Sequence, residues 1–195
     1  MPKFILSTHQ KGGVGKSTLT FNLACSLTSQ AKVAVCDLDP QGTLASLKNL
    51  SEIPIYSNKD LETLKSSDYD FIFIDTPPYL TNELPGLLKF MDAIIIPTKV
   101  GLADFMAISK TIEIIENSGK SNKALIVLNM IKPNTKLTDE MKGSLQDVPV
   151  KIADTYISDL VAFTRSLAIN GTDDTKAQTQ INNLLMEVLT ILSNQ

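Results

Sequence analysis

An α/β fold, a doubly wound, mostly parallel sheet with helices on both faces, is predicted by two patterns in the chain. Short β-rich apolar runs alternate with helix-length segments, the arrangement that feeds parallel strands through crossover helices. The strand runs are also apolar on both faces rather than strictly alternating, as strands covered by helices on each side must be. With 195 residues, 43% of them hydrophobic and 20% charged, the chain has ordinary globular composition. One domain spanning 1–195 is expected, because no repeat, low-complexity tract or Gly/Ser linker marks a boundary.

Taken in order, "KFILST" predicts a first strand over 3–8, followed by a Gly-rich turn and a helix over 16–29. The run "KVAVCD" gives a strand over 32–37, with helices over 43–49 and 61–66 behind it. "YDFIFID" gives a strand over 69–75 and a helix over 82–91, and "AIIIP" a strand over 93–97 and a helix over 103–117. "ALIVLNM" gives a strand over 124–130. The last helix, 175–193, runs into the ending "TQINNLLMEVLTILSNQ", which carries Ile181, Leu184, Leu185, Val188, Leu189 and Leu192 at helical spacing and no basic residue, and reads as a core-packing helix and not a membrane-surface one.

Composition excludes several classes. No apolar stretch approaches the roughly 18 residues a spanning helix needs, and the N-terminus lacks a signal-peptide pattern, so a cytoplasmic protein without membrane attachment is expected. The two cysteines, Cys25 and Cys36, have no metal or redox spacing and read as buried thiols. A net charge of −3 argues against wholesale nucleic-acid binding but leaves room for a local patch. The best such segment is 120–151, where six lysines (120, 123, 132, 136, 142 and 151) face three acids.

The chemistry concentrates at "HQKGGVGKST", directly after the first strand. Backbone N–H groups converge on a phosphate only where side chains do not block the approach, and Gly12, Gly13 and Gly15 remove that obstacle. A helix starting near Lys16 adds its positive N-terminal end. In a Walker A arrangement Lys16 lies along the β- and γ-phosphates, Ser17 ligates Mg²⁺, and Thr18 contacts the α-phosphate. The nucleotide-binding stretch is thus Lys11, Gly12, Gly13, Val14, Gly15, Lys16, Ser17 and Thr18. Two further carboxylate sites lie at strand ends: Asp39, in the turn "DLDPQG" that follows the strand ending at Asp37, and Asp75, which ends the strand of "FIFIDTPP", each suited to hold Mg²⁺ or orient water. Asn129 follows "ALIVL" and could either read an adenine edge or cap a loop.

The strict Walker A pattern asks for glycine where Gln10 stands; what remains is K-G-G-x-G-K-S with a second lysine, Lys11. This deviant Walker A form resembles the ParA/MinD family of ATPases, and most of all its small partition members. D-L-D-P-Q is similar to the family's first switch, where by resemblance Asp39 positions the attacking water. The "hhhDTPP" match places Asp75 in the second switch, toward Mg²⁺. The resemblance implies an ATP-dependent homodimer in which Lys11 reaches a partner subunit's nucleotide, with Lys11, Lys16 and Asp39 as the catalytic set. It further implies slow hydrolysis, stimulated by a ParB-like activating protein, since the single arginine, Arg165, lies far from the motifs.

The expected role is Mg-ATP-dependent partition of plasmid or chromosomal DNA, with non-specific DNA as a partner and nucleoid association where that binding holds. Asp159, however, stands near a position where partition ATPases tend to carry a basic residue. Two other readings stay open: an ATPase positioning a protein cargo, and a small-molecule P-loop kinase or synthetase.

Overall fold

The computed structural model of the chain describes residues 1–39, 42–80, 82–132 and 137–194. Among the described residues seven strands, β1 (Lys3–Ser7), β2 (Val33–Asp37), β3 (Ile55–Ser57), β4 (Phe71–Asp75), β5 (Ala93–Thr98), β6 (Ala124–Leu128) and β7 (Lys151–Ile152), form one sheet. Their order is β3-β2-β4-β1-β5-β6-β7, and every pairing is parallel. The helices are α1 (Lys16–Leu27), α2 (Leu61–Leu64), α3 (Leu84–Leu88), α4 (Leu102–Asn117), α5 (Leu137–Leu145), α6 (Val161–Arg165) and α7 (Thr175–Ser193).

Side chains alternate across each strand, and the sheet divides its apolar residues between two cores accordingly. Phe4, Leu6, Ile72, Ile74, Ile94 and Ile96 face α3 and α4, where they meet Leu84, Leu88, Ile108, Ile112 and Ile115. Ile5, Val33, Val35, Phe73, Ala93 and Ile95 face α1 and α7, against Leu19, Phe21, Leu23, Ile181, Leu184 and Val188. Both faces are therefore covered, which is why the strands read as continuous apolar runs.

The five predicted strands are present, each a residue or two shorter than expected except β5, which runs one residue longer. Two more appear at the edges. β3 is three residues long and β7 two, too short to announce themselves by periodicity. Two helices were also not expected: α5, whose "LTDEMKGSL" is polar with an internal glycine, and the five-residue α6. The expected helix over 43–49 is instead a single 3₁₀ turn, Ala45–Leu47. The reason is local: the Ala45 N–H donates to the Asp37 carboxylate at 2.8 Å, so the chain is pulled back toward β2 instead of winding onward.

Parallel pairing puts every strand's carboxyl end at the same edge of the sheet. Ser7 pairs with Asp75, and Asp75 with Asp37, so these three strand ends stand side by side. Chains leave β1 for one face and β4 and β5 for the other, which opens a crevice at that edge.

Candidate nucleotide site

The loop from β1 to α1 turns through two residues in the left-handed region, Gly13 (φ 69°) and Gly15 (φ 94°). Gly15 is also the N-cap of α1, and its carbonyl accepts the Leu19 N–H at 3.0 Å. A side chain here is excluded twice over, because a Cβ would strain the backbone and collide with the Asn129 amide.

That amide sits where it does for a reason. Asn129, at the end of β6 and 3% exposed, donates from Nδ2 to the Val14 carbonyl at 2.7 Å while its Oδ1 accepts the Met130 N–H at 2.9 Å. It ties the crest of the loop to a strand two positions across the sheet. Asn129 also lines a small cavity of about 100 Å³ with Thr18, Met130, Asp159 and Phe163.

Lys16 is buried, with its Nζ donating to the Lys11 carbonyl at 3.3 Å. Burial lowers its pKa, opposed by the nearby charges of Asp75 and Asp39. Ser17, one residue on, donates its hydroxyl to Asp75 Oδ2 at 2.5 Å, whereas the other oxygen, Oδ1, is buried without a partner among the described residues. Burial raises the Asp75 carboxyl to about 7, with the Ser17 hydrogen bond opposing. A hydroxyl and an orphaned carboxylate oxygen meeting at the foot of a phosphate loop form an oxygen-only donor pair that suits a hard divalent cation. The residues fit Mg²⁺.

Lys11 is held in place by its own chain. Its N–H donates to His9 Nδ1 at 2.9 Å and its Nζ pairs with Asp104 Oδ1 at 2.6 Å. Asp104 lies in the first turn of α4 and is 8% exposed. His9, the chain's single histidine, is fully buried, and its Nε2 has no partner among the described residues. Burial first and then the Lys16 charge push its pKa down to about 4. Gln10 joins three pieces: its N–H reaches Thr111 Oγ1 on α4 at 3.3 Å, its Nε2 reaches the Leu80 carbonyl at 3.4 Å, and its carbonyl accepts the Tyr79 N–H at 3.2 Å. The phosphate loop is thus fastened to α4 and to the loop after β4.

Of the residues singled out from sequence, Lys11, Gly12, Gly13, Val14, Gly15, Lys16, Ser17, Thr18, Asp75 and Asn129 converge at this edge, and Asp39 stands two residues past the end of β2, where its charge reaches Lys16. Pro40 and Gln41 of the D-L-D-P-Q run fall outside the described residues, as does Lys136. Sequence reasoning missed His9, Asp104 and the structural part of Gln10. A groove of about 620 Å³ between the end of α1 and α7 holds none of these groups.

Residues 5–170 match the family model of the CobQ/CobB/MinD/ParA nucleotide-binding domain. The chain belongs to that family. Among curated relatives it is similar to Maintenance of carboxysome distribution protein A of Halothiobacillus neapolitanus, 30% identical over 201 residues, covering 92% of this chain and 93% of that protein. Among solved structures it is similar to a Borrelia burgdorferi B31 protein ascribed to plasmid partition (BB_S35), bound to AMPPNP. That match has a TM-score of 0.75 and 21% identity, covering 97% of this chain and 99% of the other. A Cyanothece McdA variant in complex with ATP matches at a TM-score of 0.72 and 17% identity, over 98% and 96% of the two chains.

Proposed function

We propose that the chain is a Mg-ATP-dependent dimerising ATPase whose nucleotide state positions a cargo, and that the cargo is a protein assembly. The observation that carries the nucleotide reading is the convergence of Lys16, the Ser17–Asp75 pair and the N-terminus of α1 on one glycine loop. Backbone N–H groups from Gly12 to Lys16 bind the phosphates, and Lys16 leaves the Lys11 carbonyl to engage them. Ser17 and Asp75 would hold Mg²⁺, with Asp39 nearby, and the bound cation would supply neutralisation of the phosphate charge. Asp39 orients the attacking water.

Lys11 serves a second copy. It must first exchange Asp104 for the partner's nucleotide, so the intrasubunit pair keeps the lysine at home until a triphosphate is offered. Around it lies an uncovered apolar rim, with Tyr79 78%, Leu102 78% and Met106 64% exposed, which supports a contact between copies at this edge. Arg165, at 2.8 Å from Asp173, is already paired, so a basic partner protein of ParB type is assigned the stimulating role.

The cargo reading is supported by the 30% identical relative that is named for carboxysome distribution. The lysine segment proposed for DNA is divided by the fold: Lys123 precedes β6 and Lys132 follows it, so they stand at opposite edges of the sheet. Among the described residues no helix is long and apolar enough to cross a membrane.

Steady-state turnover tests the reading. ATP hydrolysis in magnesium buffer, without any small-molecule acceptor, is expected; a requirement for such an acceptor contradicts it in favour of a kinase. A gel shift with non-specific duplex separates the cargoes: ATP-dependent retardation would move the assignment to DNA partition.

A further inference from the structure

Asp37 is the last residue of β2, 2% exposed, and it plays no part in the site as described so far. Its two carboxylate oxygens are both engaged by backbone of the loop that follows: Oδ1 accepts the Asp39 N–H at 3.0 Å and Oδ2 the Ala45 N–H at 2.8 Å. The Gly42 N–H also donates to the Asp39 carbonyl at 2.8 Å. A Cβ at position 42 would run into both Asp37 oxygens, Oδ1 at 2.7 Å, and would stand 2.8 Å from the Asp39 carbonyl. Only glycine fits. Leu44, fully buried, anchors the far side of the same loop in the core beneath α1.

The carboxylate faces its own loop instead of the Ser17–Asp75 pair, although Asp37 stands in register with Asp75 on the neighbouring strand. This is the geometry of a clamp. A charged acceptor holding two N–H groups fixes the chain on both sides of Asp39 more firmly than neutral bonds would.

We propose that Asp37 and Gly42 together form a clamp that sets where Asp39 is presented to the nucleotide, making Asp37 a positioning residue for hydrolysis and not a metal ligand. The proposal rests on the ATPase reading above and assigns a role within it. It separates two neighbouring aspartates that the sequence presents alike: Asp39 acts on water, and Asp37 acts on Asp39. Gly42 enters for its missing Cβ alone.

Asp37→Asn keeps the Asp39 bond but offers Ala45 an amide that cannot accept; Gly42→Ala forces the loop off the carboxylate without touching any charge. Both are expected to lower kcat by about tenfold or more while KM for ATP and the half-saturating Mg²⁺ concentration stay within about twofold. In nucleotide-free protein, hydrogen exchange at the Ala45 amide is expected to quicken by about tenfold in both. A raised Mg²⁺ requirement in Asp37→Asn would make the residue a metal ligand and overturn the proposal. So would unchanged kcat, unchanged Ala45 exchange, or a loss of nucleotide affinity in step with kcat. If the wild-type chain turns over no ATP, the ATPase reading fails, and the exchange measurement, which uses no nucleotide, still decides whether the clamp exists.

Discussion

At the scale of single residues, the site is governed by which protons are allowed to be where. His9 accepts the Lys11 N–H through Nδ1, so protonation there would set two donors against each other in a buried place. Its folded pKa of about 4 lies below the ordinary histidine value, so between these two the unfolded chain binds the extra proton and stability rises with pH. The full contribution is present above about pH 6.5 and is lost as pH falls toward 4, with a slope approaching about 1.4 kcal/mol per pH unit. Urea midpoints measured from pH 7 to 4.5 should therefore fall more steeply for wild type than for His9→Asn; parallel curves would contradict the assignment. Lys16, Ser17 and Asp75 were legible in the sequence because they belong to contiguous motifs. Asp104 was not, since 93 residues separate it from Lys11 and only the packing of α4 brings it there.

At the scale of elements, the phosphate loop depends on Gly15 and the sheet on α1 behind it. Gly15→Ala should abolish nucleotide binding in a fluorescence titration while leaving the far-UV spectrum intact, because the strain and the Asn129 clash are confined to the loop. Phe21, fully buried between α1 and the sheet, should cost about 3–5 kcal/mol when cut to alanine, read by chemical denaturation. Asp174 caps α7 by accepting the Ala177 N–H at 2.8 Å, and Asp174→Ala should cost about 1 kcal/mol. The long elements were readable. α7 was expected over its observed span and α4 within a residue, because each presents several turns of periodic apolar residues to the core. β3, β7 and α6 were not, being set by neighbours: a two-residue strand exists only because β6 offers it a ladder. The 43–49 segment failed for the opposite reason, a strong side-chain acceptor at Asp37 overriding weak helical propensity.

At the scale of the whole molecule, one edge of the sheet carries the phosphate loop, the strand-end acids and an uncovered apolar rim, and the proposed docking of a second copy over a bound triphosphate would account for all three. Met106→Asp should weaken ATP-dependent association without changing nucleotide affinity, since Met106 touches the rim and not the loop's hydrogen bonds. Lys11 stands between the two states. Light scattering of the hydrolysis-blocked Asp39→Ala protein, with ATP and then with ADP, addresses the central claim directly: the mass of two chains with ATP and of one with ADP is expected, and equal mass in both nucleotides would contradict it.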